Sequence, residues 1–349
     1  MKSINKLIAL VLAMAMCLSL LTGCRKSGQK ADAAEVPAAS SAEASQSSGE
    51  DAAAATGEAS VSVPAEDEST SAETSAETSA AAENTDAPAD YPYDYTVKMD
   101  VTNVDFDALS ALDNESIPYG FSTKNRDELN RPDGIYYYDT LYADYGGVTH
   151  IDTEDKTVYL TMDEGYEAGH TPDILDTLKE KNVKAVFFIT KQFYDEHPEL
   201  IQRMIDEGHI IGNHTCAHKA GGMPQMGAQA QYEDYKWLND AVYDTFGYQM
   251  RLFRYPEGVS SKQSIQLLNM MGYKSVFWSF AYRDFVLDDQ MDPADALSQC
   301  LDQVHPGAIY LLHAVSATNT EIMGDFIDGV REKGYDFGVF PVETAPAKE

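Results

Sequence analysis

The chain has 349 residues, with 57 Asp and Glu against 25 Lys and Arg, for a formal net charge of −32. That balance excludes the modes of binding that run on clustered Lys and Arg, namely nucleic-acid backbones and anionic lipid surfaces, and favours a neutral or weakly charged substrate. Four cysteines are too few for a disulfide scaffold in a chain of this length, which is long enough for one large domain with a true core.

At the amino terminus Lys2 and Lys6 precede the apolar run Leu7–Leu21, which is short for a membrane span and leads into Leu21-Thr22-Gly23-Cys24. This pattern resembles a bacterial lipoprotein signal, which implies removal of residues 1–23 and lipidation of Cys24; more than one acyl chain makes such an anchor stable. Residues 24–89 are mostly Ala, Ser, Glu, Thr and Asp and cannot bury enough apolar surface to offset their ordering entropy, so a disordered stalk is expected. Aromatic residues return at Tyr91, Tyr93 and Tyr95, opening an N-terminal extension over residues 90–157 that packs on the domain formed by residues 158–345. Cys17 leaves with the signal and Cys24 carries lipid, so Cys216 and Cys300 remain in the mature fold.

From Val158 onward short β-rich apolar runs alternate with helical stretches. Strands are predicted at Val158–Met162, Ala185–Thr190, His209–Asn213, Leu252–Tyr255, Ser275–Phe280, Ala308–Leu312 and Gly338–Val342. Helices are predicted at Pro172–Lys181, Pro198–Glu207, Ala228–Phe246, Ser264–Met271, Pro293–Val304 and Thr320–Lys333. A helix between successive strands means a parallel sheet with right-handed crossovers, and hence an α/β fold: a deformed (β/α) barrel of about seven parallel strands. In such barrels chemistry sits at the carboxyl ends of the strands.

Asp163-Glu164, His214, Arg254, Asp284 and His313 each fall at or just beyond a different predicted strand end, so five strand ends converge on one rim. On an extended strand His214 and His218 would lie about 13 Å apart, whereas one ion needs ligand nitrogens at about 2 Å, so the chain must turn through Thr215-Cys216-Ala217. His209 inside a predicted strand next to Gly208, His197 before Pro198 at a helix start and His305 before Pro306 are expected to be structural or exposed.

These residues resemble the polysaccharide deacetylases of the NodB-homology type, carbohydrate esterase family 4. Thr161-Met162-Asp163-Glu164-Gly165 matches that family's Thr-Phe-Asp-Asp-Gly, and His214-Thr215-Cys216-Ala217-His218 its His-Ser/Thr-x-x-His. Arg254-Tyr255-Pro256-Glu257-Gly258, Asp284-Phe285 and Leu311-Leu312-His313 match the third, fourth and fifth motifs. Segments such as Val276-Phe277-Trp278-Ser279 and His305–His313 are similar to the delta-lactam-biosynthetic peptidoglycan deacetylases. The resemblance implies removal of an acetyl group from a wall amino sugar, N-acetylmuramic acid before N-acetylglucosamine; with the lipid at Cys24, a monomer anchored outside the cell membrane and facing the cell wall is expected.

It also implies roles. His214 and His218 hold one divalent ion, Zn²⁺ before Co²⁺, Mn²⁺ or Ni²⁺, with Glu164 as third ligand. Asp163 is the general base, fixed by Arg254; His313 is the acid, oriented by Asp284; a backbone N–H near Glu257 helps hold the oxyanion. Tyr166, Glu167, Glu257 and Leu311 are substrate-contact candidates. The sequence departs from the family at Glu164, one methylene longer than Asp, at Phe285 in place of Trp, and at Tyr255 and Glu257. Those departures keep two other readings in view, a glycan-binding protein on a degenerate scaffold and a deacetylase of N-acetylglucosamine polymers.

Overall fold

A computed structural model describes residues 94–342. The signal and stalk expected over residues 1–89 lie outside the described residues. Helices α1 (Phe106–Ser110) and α2 (Asp133–Tyr142) precede β1 (Thr157–Glu164), α3 (Thr171–Glu180), β2 (Ala185–Ile189), α4 (Lys191–Glu196), α5 (Pro198–Asp206) and β3 (Ile210–Asn213). Then come α6 (Ala228–Phe246), β4 (Leu252–Phe253), α7 (Lys262–Met270), β5 (Lys274–Ser275), β6 (Phe280–Ala281), α8 (Pro293–Asp302), β7 (Ile309–His313), α9 (Ala317–Glu332) and β8 (Asp336–Phe337).

The strands run parallel in the order β5-β4-β3-β2-β1-β7-β6, with β8 paired to the start of β1. β5 and β6 are the two ends of that order, yet only residues 276–279 separate them in sequence. Seven strands laid flat would hold their edges about 29 Å apart, while the five steps from Ser275 to Phe280 reach at most about 17 Å. The sheet therefore curls into a barrel closed by this short seam, the deformed (β/α) barrel expected from the sequence.

β2 is buried at every residue and β1 at all but its first, as strands covered on both faces require. The residues preceding β1 line the seam side of the barrel. Ile117 bridges to Ser260, Val148 bridges to Val276, and Tyr142 stacks on Phe277 with ring centroids 4.6 Å apart. Gly307 marks the closest approach, since a Cβ there would lie 1.8 Å from the Ile151 carbonyl oxygen. Tyr138 packs inward from α2 while Tyr136 and Tyr137 face solvent, because three consecutive residues of a helix point in different directions. No helix among the described residues is long and apolar enough to cross a membrane.

Candidate active site

Arg254, directly after β4, is the hub of the site. Its fully buried guanidinium donates through Nη1 to Asp163 Oδ1 at 3.0 Å and Thr161 Oγ1 at 2.8 Å. Nε and Nη2 donate to the carbonyls of Val276 and Phe277 in the seam. One side chain thus ties β1, β4 and the seam together and orients the Asp163 carboxylate.

The other oxygen, Asp163 Oδ2, lies 3.5 Å from His214 Nε2. His214 Nδ1 donates to the Arg254 carbonyl oxygen at 2.9 Å; a carbonyl only accepts, so the ring proton sits on Nδ1 and Nε2 presents a lone pair. Burial pushes the His214 pKa down to about 4, against the opposing pull of Asp163, so the ring is neutral near neutral pH. A carboxylate oxygen and an imidazole lone pair facing each other without a proton to share form a donor pair that a cation satisfies. His218 stands beside them, its ring centroid 5.0 Å from that of His214 and nearly perpendicular to it. The bend demanded by the spacing is present: Thr215 and His218 both have positive φ, +76° and +38°. These groups fit a divalent ion, although among the described residues no ready-made group of three or more His, Cys, Asp or Glu ligands is drawn together.

On the opposite side Asp284, nearly fully buried, accepts from His313 Nδ1 at 2.7 Å and from the His313 backbone N–H at 2.8 Å. Asn319 of α9 donates to the same carboxylate at 2.6 Å and to the His313 carbonyl. Burial lowers the His313 pKa, but the Asp284 charge and hydrogen bond outweigh it and the net shift is upward. Asp163 pairs directly with His313 in the β1–β7 register, so base and acid candidates stand side by side on the inner face. Leu311 pairs with Thr161 on that face, two residues below His313, and is buried as a floor.

Glu164 is a correction to the expected ligand set. β1 continues through Glu164, and alternate residues of a strand face opposite sides, so Glu164 points away from Asp163 into the helix layer. It is fully buried, its Oε2 meets only Thr171 Oγ1 at 3.4 Å, and its Oε1 has no partner. Burial, then the negative charge of Glu167, pushes its pKa well up. Glu164→Gln should therefore keep the metal affinity of the parent, which a zinc titration checks; loss of the ion would return Glu164 to the coordination sphere. Because the raised pKa means folding opposes ionisation, the parent loses stability as pH rises through it and the Gln variant does not.

Glu167 is also reassigned. Its carboxylate accepts from the backbone N–H groups of Gly169, His170 and Thr171, the last two at 2.6 and 3.3 Å, satisfying donors at the start of α3 rather than facing the cleft. Glu257 is exposed at φ +56° and accepts from Gly221 N–H at 3.2 Å, joining its turn to the loop after His218. Tyr166 is exposed beside the first motif, and Phe285 lies against His313 with centroids 5.4 Å apart. Cys216 and Cys300 are both free. His305 and His209 are buried; His305 Nε2 meets Ser279 Oγ at 2.9 Å, and His209 Nδ1 accepts from Ala185 N–H at 3.1 Å. Asn319 and Asp234, both partners of site backbone, had no motif to announce them; a polar residue on the buried face of a helix was the only available signal.

Comparison with known proteins places this geometry. The family profile described as polysaccharide deacetylase matches residues 150–276, a span holding Asp163, both histidines and Arg254. The chain belongs to the polysaccharide deacetylase family, whose members are generally metal-dependent hydrolases. It is 39% identical over 228 residues to the peptidoglycan-N-acetylmuramic acid deacetylase PdaA of Bacillus subtilis, covering 65% of this chain and 85% of that protein. The solved structure of B. subtilis PdaA, a family 4 carbohydrate esterase, superposes with a TM-score of 0.61 at 38% identity, over 65% of this chain and 95% of that one. A family 4 carbohydrate esterase of Bacillus anthracis gives 0.53 at 35% identity, with the same coverages of 65% and 95%.

Proposed function

We propose that this protein hydrolyses the N-acetyl group of N-acetylmuramic acid in peptidoglycan strands, acting outside the membrane from a lipid anchor at Cys24. The observation that carries the chemistry is the pairing of the Arg254-held Asp163 carboxylate with the His214 lone pair, opposite an Asp284–His313 pair. The similarity to B. subtilis PdaA supports muramic acid as the sugar. His214 and His218 would hold the ion beside the free oxygen of Asp163, and two imidazoles near a carboxylate suit Zn²⁺, with Co²⁺, Mn²⁺ or Ni²⁺ as alternatives. When bound, a divalent ion polarises the amide carbonyl and makes water more acidic.

The chain's own residues supply the proton transfers. Asp163, kept in place by Arg254, takes a proton from the attacking water. His313 donates from Nε2 to the departing amine as the C–N bond breaks, while Asp284 holds its Nδ1–H. Acetate and a free amino sugar result. Phe285 and Tyr166 offer aromatic surface beside the acid and base for the sugar rings.

Purified peptidoglycan incubated with the protein, then digested and analysed by mass spectrometry, should show acetyl loss from muramic acid. Loss from glucosamine instead would overturn the assigned sugar, and no loss would leave a glycan-binding scaffold. A second test concerns the acid. Since the Asp284 charge raises the His313 pKa and the reaction needs His313 protonated, Asp284→Asn should move the alkaline limb of the pH–rate profile to lower pH. An unmoved limb would remove His313 as the acid.

A further inference from the structure

The turn that brings His218 back to His214 is unusual in how its backbone is satisfied. Four consecutive N–H groups, from Thr215 to His218, all donate to side-chain oxygens rather than to other backbone. Thr215 N–H goes to Asn213 Oδ1 at 2.8 Å, and His218 N–H to Thr215 Oγ1 at 2.9 Å. The middle two, Cys216 and Ala217, go to the two oxygens of one carboxylate, Asp234 Oδ1 and Oδ2, each at 2.8 Å. Asp234 comes from the buried face of α6, is 9% exposed, and has no cationic partner among the hydrogen bonds and ion pairs of the described residues. The Cys216 thiol donates to the Asp234 carbonyl at 3.2 Å, so the turn is held at both ends of this residue.

A non-glycine residue at positive φ costs free energy, and this turn contains two, separated by the pair of amides that Asp234 holds. The one bond inside the turn, from His218 N–H to Thr215 Oγ1, leaves the two middle amides to be held from outside. Two short charge-assisted bonds from a rigid helix hold them. We propose that Asp234 is a positioning residue for metal binding: its carboxylate clamps the Cys216-Ala217 backbone and thereby fixes the separation and tilt of the His214 and His218 rings. It touches neither ring nor substrate. The proposal rests on the assignment of those histidines as the metal-holding pair.

The role separates from general packing through Asn239, another buried polar residue of α6. Asn239 accepts from Gln249 Nε2 and from the Tyr273 hydroxyl, with no bond to the turn. Full-length Asp234→Asn, Asp234→Glu, Asn239→Ala and His214→Ala proteins are to be titrated with Zn²⁺ against a chromophoric chelator, with the fold of the metal-free chains followed by circular dichroism. Asp234→Asn, which puts an NH₂ group against one of the two N–H donors, should keep its fold and lose about ten- to a hundredfold in zinc affinity. Asp234→Glu retains both acceptors and should recover most of the loss, and Asn239→Ala should bind zinc as the parent does. Parental affinity in Asp234→Asn, an equal loss in Asn239→Ala, or failure of metal-free Asp234→Asn to fold would each overturn the proposal. Absence of zinc binding in the parent, or full binding by His214→Ala, would instead overturn the metal assignment beneath it and the clamp with it.

Discussion

Asp163→Asn should lower kcat/KM for acetate release by about 10²- to 10⁴-fold, the range that a positioned general base contributes. The substitution keeps the shape of the side chain, and the Asn oxygen can still accept from Arg254 Nη1, so the Arg254 network with Thr161, Val276 and Phe277 survives. What disappears is the carboxylate proposed to take the proton, which faces His214 Nε2 at 3.5 Å. Two losses are therefore expected together, of rate and of metal affinity, with circular dichroism unchanged. Activity within tenfold of the parent would show that another group accepts the proton.

The largest effect on stability should come from Arg254→Met. The guanidinium is completely buried, donates to four groups, and lies over the Phe188 ring with its carbon 4.3 Å from the centroid. Methionine replaces some of the contact with Phe188 but leaves Asp163 as a buried charge without its cation. Removing one partner of a buried pair costs about 3–5 kcal/mol, a large part of the stability of an ordinary domain. Two seam carbonyls lose their donors as well, and the seam is where the sheet closes. Arg254→Lys should recover little, because a single ammonium cannot reach four acceptors set in a planar fork. Urea unfolding measures both; a loss under about 1 kcal/mol in Arg254→Met would mean that Asp163 finds another partner.

Much of this architecture is legible in the sequence because the central strands of a parallel sheet are covered on both faces. Val158–Met162 and Ala185–Thr190 are therefore mostly apolar, apart from Thr161 and Thr190, and stand out from the amphipathic helices around them. The same rule fails at Ser275–Phe280. Val276, Phe277 and Trp278 form an equally apolar run, yet the chain there crosses the seam, and the carbonyls of Val276 and Phe277 bond to Arg254. An apolar run reports burial, and burial in a seam looks like burial in a strand. The last strand shows the converse: Asp336–Phe337 pairs with β1, whereas the apolar residues further on, 338–342, do not form a strand.

Glu164 illustrates how one boundary changes chemistry. Ending the first strand at Met162 leaves Asp163 and Glu164 free to point the same way, so both can serve one ion. Two more residues of strand impose alternation, and the second carboxylate is carried to the far face beneath α3. Asp234 was hidden for a different reason. Its bonds run to backbone amides, which carry no residue type for a motif to record, across 17 and 18 positions of sequence. The roles that motifs do carry, in Asp163, Arg254, His214, Asp284 and His313, depend on side chains meeting side chains or backbone at strand ends that the fold fixes.

Deacetylation of peptidoglycan is expected to depend on a divalent ion beside Asp163 and the two histidines. The most direct measurement is acetate release from purified peptidoglycan by protein stripped with a chelator and then given Zn²⁺, Co²⁺, Mn²⁺ or Ni²⁺ in turn. Release should be lost on stripping, return with at least one of these ions in the parent, and fail to return in His214→Ala. Release that persists in the stripped protein, or that returns equally in His214→Ala, would show that an ion held there does not drive the reaction.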